Sequence, residues 1–273
     1  MEAGEVNHIA YLLAFLEGDN AMMAQMADLL DHQPGYENTA VLMRAQTKIY
    51  YGQVRDSRAL LQVLADTADR DKKIAGVGYL QANLAVEDAL LGFTARALQH
   101  AETAAQHGAE GAALAFALAG DPARAAKLSK KIAGAAESDP NLRDIRLPEL
   151  YAAIEMTRGN SARAIELLEP VKRFEEGWID SYWAAYIRGL ACLAGGQGQD
   201  AALEFQKIVD HRGLVQNALY GAVAHIQLAR AHALQGDVSK ARKDYEDFFA
   251  LWKDADSDIP IRLQAKAEYA RLH

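Results

Sequence analysis

One cysteine and eight histidines hold most of the nucleophilic and metal-binding chemistry this chain could carry. Cys192 stands alone, which excludes an internal disulfide and a multi-cysteine zinc site. A nucleophilic cysteine needs a nearby base and an electropositive setting. The flanks here, Leu190-Ala191 and Leu193-Ala194, are apolar and point to a buried, inert thiol. His225 and His232 are seven residues apart and share a helix face, as do His100 and His107. A pair without a third ligand seldom makes a metal site. His211, Arg212 and Gly213 suit a helix C-terminus, where positive charge and glycine are both favourable.

Three further patterns resemble sites and fail on spacing. Asp254, Asp256 and Asp258 copy the start of a calcium loop, but Ile259 and Ala265 stand where its glycine and closing glutamate belong. A solvated linker before a last helix is the expectation there. Glu175 and Glu176 are adjacent, with nothing to mark them as a general acid and base. The glycine-rich stretch Gly195–Gly198 lacks the Lys-Ser/Thr ending of a phosphate-binding loop and reads as a turn. The sequence contains no Walker loop, no His-Glu-x-x-His and no Gly-x-Ser-x-Gly. No catalysis, no cofactor and no metal are expected of this chain.

The elements that would position any site are helices. The 273 residues include 54 alanines against 6 prolines, and alanine is the best helix former while proline interrupts helices. Half the composition, 51%, is hydrophobic, enough for a real core. The net charge of −8 argues against direct nucleic-acid binding, because phosphate backbones repel an acidic surface. The first five residues are acidic where a signal peptide would be basic. The apolar run from Ala112 to Ala119 is shorter than the roughly 20 residues a membrane span needs, so no membrane segment is expected.

A repeat organises the chain. Glycines at 18, 52, 92, 120, 159, 196 and 236 each close a helix-like stretch, in steps of 34, 40, 28, 39, 37 and 40 residues. Five positions later come Met23, Ser57, Ala97, Ala125, Ala164, Ala201 and Ala241, and apolar or small residues usually follow at plus nine and plus twelve. Each glycine suits the left-handed residue that stops a helix. Asp19, Asp121, Asn160 and Asp237 can cap the next helix, and Pro122 fits a first helical turn. The small residue then lets the second helix lie against the first. First helices are predicted near 5–17, 37–51, 73–91, 109–119, 145–158, 178–195 and 216–235, and second helices near 20–32, 54–70, 94–107, 122–137, 161–174, 199–211 and 238–253. A closing helix is predicted near 260–272. A hairpin cannot bury its apolar face alone, but stacked hairpins can. The expected fold is therefore all-α: an α-solenoid of about seven helical hairpins plus a C-terminal capping helix. It forms a single domain, 1–273, with 139–148 as the candidate hinge between blocks 1–138 and 145–273.

The unit resembles a tetratricopeptide repeat, clearest in Arg188-Gly189, Cys192, Gly196, Ala201 and Phe205, and then in Leu228-Ala229, His232, Gly236, Ala241 and Tyr245. Cys192 and His232 stand at the family's tyrosine position, a packing site. The segments Tyr11–Asn20, Glu204–Gly213 and Asp247–Asp256 resemble the C-terminal repeat regions of bacterial eukaryotic-type serine/threonine kinases and winged-helix regulators, as found in acidobacteria. No kinase signature or DNA-binding domain accompanies them here.

That resemblance implies a non-catalytic protein–protein interaction scaffold in bacterial signalling. The other class it leaves open is a ligand-sensing domain that controls an attached or partner kinase or transcription factor through a pocket near Pro140–Pro148. The implied partner is a protein or peptide held on the concave face lined by first helices. Carried onto this sequence, the groove positions are Tyr79, Asn83, Arg146, Glu149, Trp183, Tyr186, Gln227 and Arg230. Trp178, Tyr182, Trp183 and Tyr186 form an aromatic stretch that serves either the groove or the packing between repeats. The default compartment is cytoplasmic, or extracytoplasmic if the chain is cut from a membrane-bound kinase.

Overall fold

The computed structural model describes residues 2–70, 74–177 and 182–272. Among the described residues every regular element is a helix. They pair as α1 (Ala3–Glu17) with α2 (Asn20–Asp31), α3 (Glu37–Tyr50) with α4 (Val54–Arg70), α5 (Ile74–Leu91) with α6 (Thr94–Gln106), and α7 (Gly111–Leu118) with α8 (Pro122–Ala135). The second part pairs α9 (Leu147–Thr157) with α10 (Ser161–Leu168), and α11 (Trp183–Ala194) with α12 (Gly198–Asp210). After the short α13 (Arg212–Val215), α14 (Leu219–Leu234) pairs with α15 (Val238–Leu251), and α16 (Pro260–Tyr269) follows.

The seven repeat glycines all stop their helices in the left-handed region, with φ from 71° at Gly52 to 89° at Gly120. Asp19, Asp121 and Asp237 then accept a backbone N–H of the next helix at 2.9, 2.9 and 3.1 Å. Asn160 does not cap. Its amide donates instead to Glu155, 2.7 Å away in the preceding helix. The plus-five residues are all buried, and the last five, all alanines, have no exposed surface. Behind them, Phe205 and Ile208, like Tyr245 and Phe248, run one buried stripe at helical spacing.

Three boundaries depart from the periodicity. Pro170 breaks the α-helical ladder, so α10 stops at Leu168 and continues as a 3-10 turn, Glu169–Phe174. The seventh hairpin starts late because α13 intervenes, followed by Gln216 at φ 57°, ψ −135°. The joint at 139–148 is a π-helical turn, Leu142–Arg146, whose entry is tied by Asp139 accepting from the amides of Asn141 and Leu142. Leu142, Leu147 and Leu150 belong to one buried cluster with Ile132, Ala136 and Ile154, so apolar packing runs through that joint.

The array does not end in an open stack. Its inner helices touch in sequence, α5 to α7 to α9 to α11 to α14, and α14 then meets both α3 and α5. The amide of Asn217, just before α14, donates to Thr47 of α3 at 3.0 Å. Trp252, fully buried after α15, sends its indole N–H to the carbonyl of Tyr50 at 2.8 Å. The amide of Asp256 donates to Gly52 O at 3.0 Å, and Pro260 lies against Gly92. One apolar core accordingly includes Tyr11 and Phe15 of the first hairpin and Trp252, Ile261 and Ala265 of the C-terminal part. The last helix, α16, expected to cap an open end, touches both α15 and α5. Helical hairpins have thus closed into a ring.

Candidate functional site

The inner helices bring six of the eight predicted groove residues into one strip. Arg146 enters from the end of the π-helical turn and Glu149 from the first turn of α9, Trp183 and Tyr186 from α11, and Gln227 and Arg230 from α14. A spacing of three residues puts each pair on one helix face. Trp183 and Tyr186 stack with ring centroids 5.5 Å apart and planes 9° from parallel. Tyr220, one turn into α14, meets Trp183 edge-on at 5.2 Å and lies 6.1 Å from Tyr186.

At one end of the strip sits Glu149, which is buried, with Arg146 at 3.7 Å. Its Oε2 has no hydrogen-bond partner. Burial pushes its pKa up to about 7, against a smaller opposing pull from Arg146. Burial also raises the phenol of Tyr220, and the charge of Glu149 adds to the effect. Tyr186 in the middle is pushed up to about 12 by burial, partly offset by a hydrogen bond from Gln227. At the other end Arg230 pairs with Glu268 of α16 through two bonds, 2.9 and 3.0 Å, and donates to Gln227 at 3.3 Å. Burial works to raise the carboxyl of Glu268, but hydrogen bonds from Arg230 and Tyr245 outweigh it and hold the group below its ordinary range.

Beside Arg230 the strip opens into a cleft of about 210 Å³, partly open to solvent. Leu90, Leu118, Met156, Leu190 and Ile261 wall it, and Tyr186, Gln227, Arg230 and Gln264 supply its polar groups. The other two predicted residues, Tyr79 and Asn83, lie outside the strip. Both are exposed on α5, Tyr79 at 66%. They share a helical stripe with Val86 and Leu90, which puts them about 10 to 16 Å along the helix from the cleft wall. Trp183, Tyr186, Glu149 and Gln227 are nearly inaccessible, at 6%, 1%, 2% and 5%. Trp183 and Tyr186 cover each other and are covered by Tyr220 of the neighbouring α14, which also bears on Glu149. Trp178 lies outside the described residues.

The remaining candidates resolve into packing and caps. Cys192 is buried beside Phe205 and its neighbours, and burial pushes its thiol up to about 11, which suits an inert role. His232 pairs with Asp244 at 2.6 Å, while burial lowers the pKa of His225. His100 contacts Gln81 at 2.6 Å and His107 ends α6. His211 ends α12 and stacks on Tyr182 at 4.8 Å. Among the described residues no three His, Cys, Asp or Glu side chains are arranged to hold a metal ion. No described helix is long and apolar enough to cross a membrane.

Two arrangements escaped the sequence reading. Asp256 and Asp258, expected in a solvated linker, engage Arg55: Asp256 accepts from its main-chain amide and Asp258 from its guanidinium, each at 2.9 Å. Glu175 is not part of a carboxylate pair. It and Glu204 hold the buried Arg188, Glu204 at 2.6 Å, with Lys207 at 2.9 Å from Glu204. A charged residue in the middle of the apolar helix α11 was the available signal. Compared with protein-family models the chain matches none, and no curated protein matches it either.

Proposed function

We propose that this chain is a non-catalytic interaction module, a tetratricopeptide-like array that docks a partner protein segment on its inner face within a bacterial regulatory system. One observation carries the reading: six residues chosen by their place on successive first helices meet in a single aromatic and polar strip that opens at the Arg230 cleft. Arg230, at the cleft, is the part of the strip that a partner reaches, and arginine is among the side chains that anchor protein interfaces. The exposed stripe of Tyr79 and Asn83 on α5 extends the face outward from the cleft. A small-ligand sensor is the second reading. It is favoured by the convergence of Gln227, Arg230 and Gln264 on an apolar hollow, the usual composition of a ligand pocket.

Site-directed photo-crosslinking separates the two. A benzophenone side chain placed at Asn83, on the inner stripe, should trap a discrete protein in native lysate. The same group at Leu203, exposed on the outer helix α12, should not. Equal trapping from both positions, or none from Asn83, would sink the docking reading.

A further inference from the structure

The cleft beside Arg230 has a composition that selects its occupant. Charge comes first. Arg230 is answered in full by the two-bonded carboxylate of Glu268, so the cleft offers no surplus positive charge to an anion. The direction of its hydrogen bonds comes second. The side-chain oxygens of Gln227 and Gln264 both accept from Arg230, at 3.3 and 3.5 Å. Gln264, which is exposed at the mouth, gives its oxygen to Arg230 and keeps its amide N–H groups as the donors an entering group can use. An entering group therefore meets aliphatic walls and then a hydrogen-bond donor at the rim. Size comes third. A volume of about 210 Å³ falls below the roughly 300 Å³ at which pockets begin to hold whole drug-sized molecules, and suits one large side chain.

Position supplies the fourth constraint. The cleft is open on one side, and the exposed stripe of Tyr79 and Asn83 runs from its Leu90 wall along α5 for about 10 to 16 Å. An extended chain advances about 3.3 Å per residue, so that surface accommodates three to five residues flanking an anchored side chain. We propose that the cleft receives the uncharged aromatic side chain of a docked peptide segment, whose backbone carbonyl accepts a hydrogen bond from Gln264. This assignment rests on the reading of the chain as a peptide-docking module. It adds the chemistry of the anchor: aromatic, neutral, and carried on a chain.

The test is a ¹H–¹⁵N NMR titration of the full chain with three probes. These are the end-capped pentapeptide Gly-Gly-Trp-Gly-Gly, capped pentaglycine, and indole-3-acetate. The tryptophan peptide should shift the side-chain amides of Gln227 and Gln264 saturably, with a Kd on the order of 1 mM, as expected for one anchored side chain. Pentaglycine should leave them unmoved, and the anionic indole should bind no better than the peptide. Ala89→Trp, which fills the cleft from its own wall, should weaken the peptide about tenfold or more, and Leu203→Trp on the outer surface should not change it. If Ala89→Trp does not fold, Gln264→Leu at the exposed rim replaces it, with a several-fold loss expected. Absence of peptide binding, or equal binding to the filled variant, overturns the assignment. So does preference for the free indole acid over the peptide, which would make the occupant a free small molecule. Loss of peptide binding alongside persistent crosslinking from Asn83 would reject the anchor and leave the docking reading standing.

Discussion

The main-chain amide of Arg55 donates to the carboxylate of Asp256, 2.9 Å away in space and 201 residues later in the chain. Arg55 opens α4, so Asp256 serves as an N-cap supplied from the far end of the molecule. Removing a capping carboxylate costs about 0.5 to 2 kcal/mol. Asp256→Ala should lose stability in that range in urea unfolding, while Asp256→Asn, an equally good cap, should lose much less. Equal losses would mean that the cap is not what Asp256 supplies.

Gly52 allows a direct measure of the closed seam. It has a φ of 71°, and a Cβ built there would lie 2.6 Å from Ala255 Cβ and 2.9 Å from the Trp252 ring. Gly236 has a φ of 78° with nothing within 4 Å of such a Cβ. A left-handed alanine costs about 1 to 2 kcal/mol at either position. Gly52→Ala must also displace the seam, so it should destabilise by at least about 1 kcal/mol more than Gly236→Ala, in line with the usual cost of overpacking. Matching unfolding midpoints for the two variants would show that the seam yields freely.

Glu149 predicts a pH dependence. Its ordinary carboxyl value is 4.5, and burial raises it to about 7 in the folded chain. Between those values the folded state binds a proton that the unfolded state has released. Stability attributable to this group is therefore complete below 4.5 and falls as pH rises towards 7. Glu149→Gln should flatten that slope and stabilise the protein above pH 7 by roughly 2 to 3 kcal/mol, with little effect near pH 4. Denaturant midpoints at both pH values check this, and a variant slope parallel to that of the parent would refute it.

Arg188 is buried between Glu175 and Glu204. Breaking a buried charge cluster from one side leaves its partners uncompensated, at a cost of about 3 to 5 kcal/mol. Arg188→Met should lose stability on that scale. Adding Glu175→Gln and Glu204→Gln should restore a large part, because the stranded charges go with the change. No recovery in the triple variant would mean that Arg188 acts through packing alone.

Local pattern carried most of the fold and little of its closure. The repeat glycines, the small plus-five residues and the aspartate caps act within a few residues of one another, so their spacing in the sequence is their spacing in space. Trp252 and Tyr50 leave no such trace. Both are apolar residues at helix ends, and nothing in a period of 3.6 residues says that one will donate to the carbonyl of the other. Asp254, Asp256 and Asp258 read as linker for the same reason: the partner of Asp256 is set by the curvature of the whole array. The inner face was legible because it follows helix geometry. Its burial was not, since it depends on how Tyr220 of α14 meets Trp183 and Tyr186 of α11 across two helices. Tyr220 was overlooked because it stands 16 residues before Gly236, a turn further back than the 13 residues that separate Tyr79, Arg146 and Trp183 from their repeat glycines.

The seam also sets an order of events during synthesis. A ribosome adds about 5 to 20 residues per second, so the 201 residues between Arg55 and Asp256 take on the order of 10 to 40 s to appear. For that interval the nascent first hairpins must keep Tyr50 and its neighbours without the tryptophan that will cover them. A linear repeat array has two ends that can fray independently. Here the last hairpin packs on the second and third, through α14 against α3 and α5, so it cannot melt without uncovering them.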